Sequence, residues 1–198
     1  MFRFAVLAAL MCGFLWLSPA VAEPVFVPGS RVGLVPPVGF VPSDKFKGFL
    51  SAAERGSILI VEMPKEAYAQ VSRLSDAGLA DRGIKVHSRS ALTVGKAPAV
   101  LIRGQQSYSG IVLTKWLMVI GFADFAAMVT AQMPADLPSF RLDAMDQSLK
   151  TIAYRPALTM AQKMAALPFS LGSTADMRVV NVMAGNTLIL TRGPKDTF

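Results

Sequence analysis

Glu62 is the first residue of this chain that could do chemistry from inside a core element. It sits in GSILIVEMPKEAYAQV, residues 56 to 71, as a carboxylate within a strand-like run, two positions before Pro64. Buried beside a cation such as Arg103 or Lys115, it could serve as a general acid or base. Just ahead of a helix opened by Pro64, it would instead mark a strand-to-helix junction, where the helix dipole favours a negative charge. It is the single acid within the strand-like run, with Glu66 falling beyond Pro64, and that favours the junction. His87 is the only histidine and lies between Lys85 and Arg89 on an alternating stretch, the pattern of a solvated strand face. With one histidine, a serine triad would have to use His87, and a zinc site would have to be built mainly from carboxylates. No GxSxG, GxGxxG or P-loop pattern occurs, so no catalytic residue, metal ligand or cofactor is assigned.

A second set of candidates is polar rather than catalytic. Arg103 and Gln105 share parity on one apolar run, Thr130 and Gln132 share it on another, and Lys115 lies on the run between them. Pointing to one side, the five would form a polar strip that could line a ligand groove. Solvated near strand ends, or covered by helices and hydrogen-bonded there, they would be ordinary structure. Charge supplies a third set. No acid occurs between Asp81 and Asp124, whereas Arg82, Lys85, Arg89, Lys96, Arg103 and Lys115 all do. An outward-facing subset, Lys85, Arg89 and Lys96, would suit an acidic partner protein or an anionic envelope surface. The alternative is that nearby acids such as Glu62, Asp124, Asp143 and Asp146 compensate the charge internally.

The elements that must position these residues follow from periodicity and punctuation. Residues 23–45 are rich in proline and glycine and read as a linker leading to an edge strand and an irregular turn. Ser57 to Met63 is a continuous apolar strand, the pattern of one covered on both faces. Pro64 fits the first position of a helix with Tyr68, Val71 and Leu74 on its buried stripe, and a second short helix runs from Ser75-Asp76 to Gly83. Four strand-like runs follow, from Ile84, Pro98, Ile111 and Phe125, with short connections that imply antiparallel hairpins. A helix from about Ser139 to Ile152, a helical piece near Thr159 to Leu167 and strands at Arg178 to Met183 and Thr187 to Thr191 complete the chain.

Composition and the amino terminus bound the biology. The chain has 198 residues, of which 53% are hydrophobic and 17% charged, which excludes general disorder. It begins with Arg3, an apolar run of 14 residues from Phe4 to Leu17, then Ala20-Val21-Ala22 before Glu23. That is the layout of a secretory signal peptide cleaved after Ala22, and the run is shorter than the about 20 residues that span a bilayer. An uncleaved leader kept as an anchor is the alternative. Cleavage would remove Cys12, the only cysteine, together with Arg3. The net charge of +7 would then fall to +6, from 19 cations and 13 acids. No later segment reads as membrane-spanning. Nucleic-acid binding is disfavoured by export and by the scarcity of aromatic residues among the basic ones, only Tyr108 and Trp116.

Strand, helix pair, antiparallel run and helix, in that order, predict an α/β fold: an antiparallel sheet flanked by helices on both faces. The phrases RVGLVPPVGFVPSDKFKGF, SILIVEMPKEAY, RGIKVHSRSALTVGKAPAVLIRGQQ, TKWLMVIG and MVTAQMP resemble the exported bacterial branch of the PsbP-like fold. The resemblance covers about residues 31–153, and LPFSLG and NTLILTRGP extend it. It implies an α/β/α sandwich over 31–156, after a 23–30 linker, with 157–198 as a helix-plus-strands extension on the same domain. It implies no catalytic, metal-binding or photosystem-binding residue, because the shared phrases are strand cores and hairpins and the fold hosts unrelated roles. Three functions stay open: an exported non-catalytic binding or accessory protein, an enzyme with an unrecognised site around Glu62, Arg103 and Lys115, and a basic protein of the envelope surface.

Overall fold

The computed structural model describes residues 22–183 and 187–194. The expected leader, apart from Ala22, lies outside these residues. From the amino terminus, β1 (Val25–Phe26), β2 (Val32–Leu34), β3 (Val41–Pro42), β4 (Gly48–Ser51) and β5 (Gly56–Met63) lead into α1 (Ala67–Val71) and α2 (Asp76–Ala80). Then come β6 (Ile84–Val94), β7 (Ala97–Tyr108), β8 (Ile111–Gly121), β9 (Ala126–Pro134) and α3 (Ser139–Lys150). The chain continues through β10 (Ala153–Tyr154), α4 (Met160–Ala165), β11 (Arg178–Met183) and β12 (Thr187–Thr191). The segment expected as a linker over 23–30 thus contains a strand, because β1 pairs with β2, which also pairs with β10.

Seven strands form the main sheet in the order β3-β4-β5-β9-β8-β7-β6, each pair antiparallel. Short connections drive the β6-to-β9 meander. Between Tyr108 and Ile111 only Ser109 and Gly110 intervene, both at positive φ, the two-residue turn that matches strand twist. The chain leaves β5 through α1 and α2, reaches the far edge at β6, and returns hairpin by hairpin until β9 pairs with β5.

Strand alternation divides the sheet into two faces. Ile58 and Ile60, Trp116 and Met118, and Val129 and Ala131 point to the first face, where they pack with Val32 and Leu34 of β2 and Met145 and Leu149 of α3. Each fully buried side chain of this size stabilises the fold by about 1.5–3 kcal/mol. On the second face Leu79 of α2 packs with Ile84, Ile102 and Leu117. Beside it the Tyr68 ring of α1 lies flat on Gly121, where a Cβ would come within 2.8 Å of the ring. The architecture is mixed α/β with antiparallel strands and few helices. α1 and α2 have five residues each and reach only part of their face. This corrects the expectation that β5 is covered on both sides: Ile58 and Ile60 are buried, but Leu59 between them is 38% exposed.

The carboxy-terminal elements have their own local logic. Thr159 and Gln162 form a reciprocal capping box at the start of α4. Lys163 of α4 donates to Asn181 of β11 at 3.3 Å, and β11 pairs with β12. Ala166, just past α4, lies against Gly29, so close that a Cβ there would be 3.2 Å away.

Candidate functional site

Glu62 does not stand at a helix terminus. The backbone after Pro64 turns before α1 begins at Ala67, and the carboxylate points instead to the β1–β2 connection. Its Oε1 accepts from the Arg31 backbone N–H at 2.7 Å and lies 3.0 Å from Ser30 Oγ, whose single proton is shared between Glu62 and the Val32 carbonyl at 2.8 Å. Ser30 is fully buried, so without such partners its hydroxyl would carry a desolvation cost. Arg31 extends the contact by donating from Nη2 to both Asp124 oxygens, at 2.8 and 3.1 Å, while its guanidinium lies 3.9 Å over the Phe125 ring. Arg155, just past β10, donates from Nε to the Ser30 carbonyl at 3.0 Å. Together these contacts fasten β2 and β10 onto the end of β5 and the β8–β9 connection. The sequence signal for this latch was weak: Asp124 closes the acid-free segment, but nothing local ties Arg31 or Arg155 to it.

Arg103 belongs to a different cluster. It lies directly opposite Trp116, four residues along β9 from the position opposite Glu62, or roughly 13 Å at about 3.3 Å per residue. Arg103 Nη1 meets Asp146 Oδ2 of α3 at 2.9 Å, and Trp116 Nε1 donates to Asp146 Oδ1 at 2.6 Å. Trp116 is fully buried, and a buried indole N–H needs an acceptor. One carboxylate therefore satisfies both groups and fixes α3 on the sheet. Gln105 follows on the same face toward the β7–β8 turn, half-buried.

Register sends Lys115 to the opposite face. Lys115 pairs with Gln132, Gln132 pairs with Ser57, and Thr130 lies one row further on, opposite Leu117 and Leu59. The expected five-residue strip is therefore two groups on opposite sides of one sheet, with Arg103 and Gln105 on one and Lys115, Thr130 and Gln132 on the other. The physical reason is that a one-residue change of parity between paired strands reverses the face. Directly opposite residues stand with Cβ atoms about 4.5–5.5 Å apart, so Lys115, Gln132 and Ser57 form a continuous polar row. All are half-buried, and no side-chain hydrogen bond or ion pair of Lys115, Thr130, Gln132 or Ser57 is found among the described residues. Burial alone holds the Lys115 ammonium below its ordinary pKa of 10.5. Ser57 had no signal in the sequence beyond its place in an apolar strand.

The three basic candidates do not share one patch. Arg89 is taken by α2: it pairs with Asp76 at 2.8 Å and donates to the Leu74 carbonyl at 2.6 Å. Lys85 and Lys96 are exposed at opposite ends of β6, roughly 30 Å apart at about 3.3 Å per residue. His87 is exposed at a bulge between Val86 and Ser88. Among the described residues, no three His, Cys, Asp or Glu side chains are grouped to hold a metal ion, and no helix is long and apolar enough to cross a membrane.

No family model matches the chain, and no curated protein matches it in sequence. Solved structures do. LpqN of Mycobacterium tuberculosis, involved in cell envelope biogenesis, is 18% identical, with 68% of this chain and 90% of LpqN covered and a TM-score of 0.52. The fold is PsbP-like. PsbP of the cyanobacterium Synechocystis sp. PCC 6803 is 12% identical, with 70% of this chain and 96% of that one covered and a TM-score of 0.47. The Saccharomyces cerevisiae Ran-binding protein Mog1p is 12% identical, with 67% and 94% covered and a TM-score of 0.45. At such identities the likeness concerns the fold, and no residue role passes from one chain to another.

Proposed function

We propose that this chain is an exported, non-catalytic binding or accessory protein, built as an α/β/α sandwich, that receives an anionic group of an acidic partner protein at Lys115. The observation that carries this reading is a contrast among cations. Arg31, Arg89, Arg103 and Arg141 each meet a carboxylate, whereas half-buried Lys115 meets none among the described residues. A desolvated ammonium beside two amide- or hydroxyl-bearing neighbours is a site where an incoming carboxylate gains both charge pairing and hydrogen bonds. A protruding acidic side chain reaches into such a row more readily than a flat anionic bilayer does, which favours a protein over the envelope surface. Exposed Lys85 and Lys96 add to long-range attraction without forming part of the contact.

Two further observations support the reading. The Glu62 carboxylate is engaged by Ser30 and Arg31, a structural use away from both Arg103 and Lys115. Export rests on the leader pattern, and the involvement of LpqN in cell envelope biogenesis agrees with it. The test is co-purification from envelope extract with wild type, Lys115→Met and Lys115→Arg. A partner retained by wild type and Lys115→Arg, lost with Lys115→Met and weakened by salt supports the reading. Equal capture by Lys115→Met contradicts it.

A further inference from the structure

A separate cavity of about 310 Å³ lies on the first face of the sheet, between the chain that precedes β3, the β4–β5 turn and the start of α3. Its volume is at the lower end of the range that holds small ligands. Pro37, Phe40, Met133 and Ala144 supply apolar walls, and Glu54 and Arg141 are the only charged groups lining it among the described residues. Two large apolar side chains at its mouth face water: Val38 is 85% exposed and Phe140 62% exposed. Exposed hydrophobic residues bordering an apolar hollow are the arrangement expected of a binding site. A glycine keeps the wall thin, since a Cβ on Gly56 would come within 2.7 Å of the Phe40 ring and 3.0 Å of Met133.

The charged pair sets the chemistry of the occupant. Glu54 is recessed, with its side chain 14% exposed, while that of Arg141 is 37% exposed. The two meet at a single contact of 3.4 Å, which leaves most of the guanidinium donors unused. The group that a ligand meets at the mouth is therefore Arg141, and the first turn of α3, where Arg141 lies, adds a favourable field for a negative charge. We propose that this cavity binds a small amphiphile: an apolar body enters between Phe40, Met133 and Ala144, and a single anionic head stays at the mouth on Arg141. The site lies on the face opposite Lys115 and does not depend on that residue.

Calorimetric titration of the purified protein with decanoate, decanol and decylamine tests this. Decanoate is expected to bind most tightly and decylamine least. Arg141→Gln should weaken decanoate by about tenfold or more, the scale of one lost charge-assisted contact, and leave decanol unchanged. Ala144→Phe, which fills the hollow, should abolish binding of both. Phe140→Ser and Val38→Ser lie at the exposed rim and report on binding even if Ala144→Phe does not fold. The proposal is overturned if decanoate binds no more tightly than decylamine, if the rim and wall variants bind as wild type does, or if nothing binds. It is equally overturned if sedimentation shows that the rim residues join two copies of the chain and that decanoate leaves this dimer unchanged.

Discussion

At the scale of single residues, the same carboxylate or cation can be structural or functional depending on what faces it. Glu62 shows the structural case. Glu62→Gln keeps one acceptor oxygen but removes the charge that strengthens the bonds from Ser30 and Arg31. It should cost about 1–2 kcal/mol in chemical denaturation, the difference between charged and neutral hydrogen bonding. Loss of an activity without loss of stability would point to an enzyme instead. Lys115 shows the opposite case. Its pKa is lowered in the folded chain, so the unfolded chain binds its proton more tightly. The penalty is therefore fully present below the folded pKa and is relieved as pH rises from there toward the unfolded value of 10.5. Lys115→Met should then melt at a higher temperature than wild type at pH 7, with the difference shrinking in alkaline buffer. Residue types were legible in the sequence; their partners were not, because Ser30 and Glu62, or Trp116 and Asp146, meet only through tertiary packing.

At the scale of elements, α3 is held by polar contacts of Asp146, Ser148 and Arg141 as well as by its apolar stripe. Asp146→Ala would strand the Trp116 indole N–H in the core and leave Arg103 without its carboxylate. A cost of about 2–4 kcal/mol is expected, together with a change in the fluorescence of Trp116, the sole tryptophan among the described residues. Unchanged emission and stability would mean that the Asp146 contacts do not help to hold α3. Strands and hairpins were readable because alternation and Gly-containing turns are local properties. The helix pair after Pro64 was readable too, although α1 starts later than the proline suggests. Faces were harder. The continuous apolar run of β5 suggested cover on both sides, but two five-residue helices are too short to reach Leu59. Relative parity across β7, β8 and β9 depends on loop length and register, so the split between Arg103 and Lys115 emerged only from the pairing.

At the scale of the whole molecule, a PsbP-like fold presents one face closed by α3 and β2 and another left partly open beside α1 and α2. The open part contains the Lys115 row, and the closed side contains the cavity at Arg141. The fold-level resemblance was legible from strand phrases; the cavity was not, since Val38, Glu54 and Arg141 are far apart in sequence. Export is checked by mass spectrometry of the amino terminus: a chain beginning at Glu23 is expected, and an intact Met1 in the membrane fraction would contradict cleavage. The most direct test of the binding role follows the Lys115 ammonium by NMR, in the free protein and after adding the acidic partner captured from envelope extract. The expected result is a pKa below 10.5 in the free chain that rises when the partner's carboxylate arrives. A Lys115 titration that is the same with and without the partner would contradict the assignment of this row as the binding site.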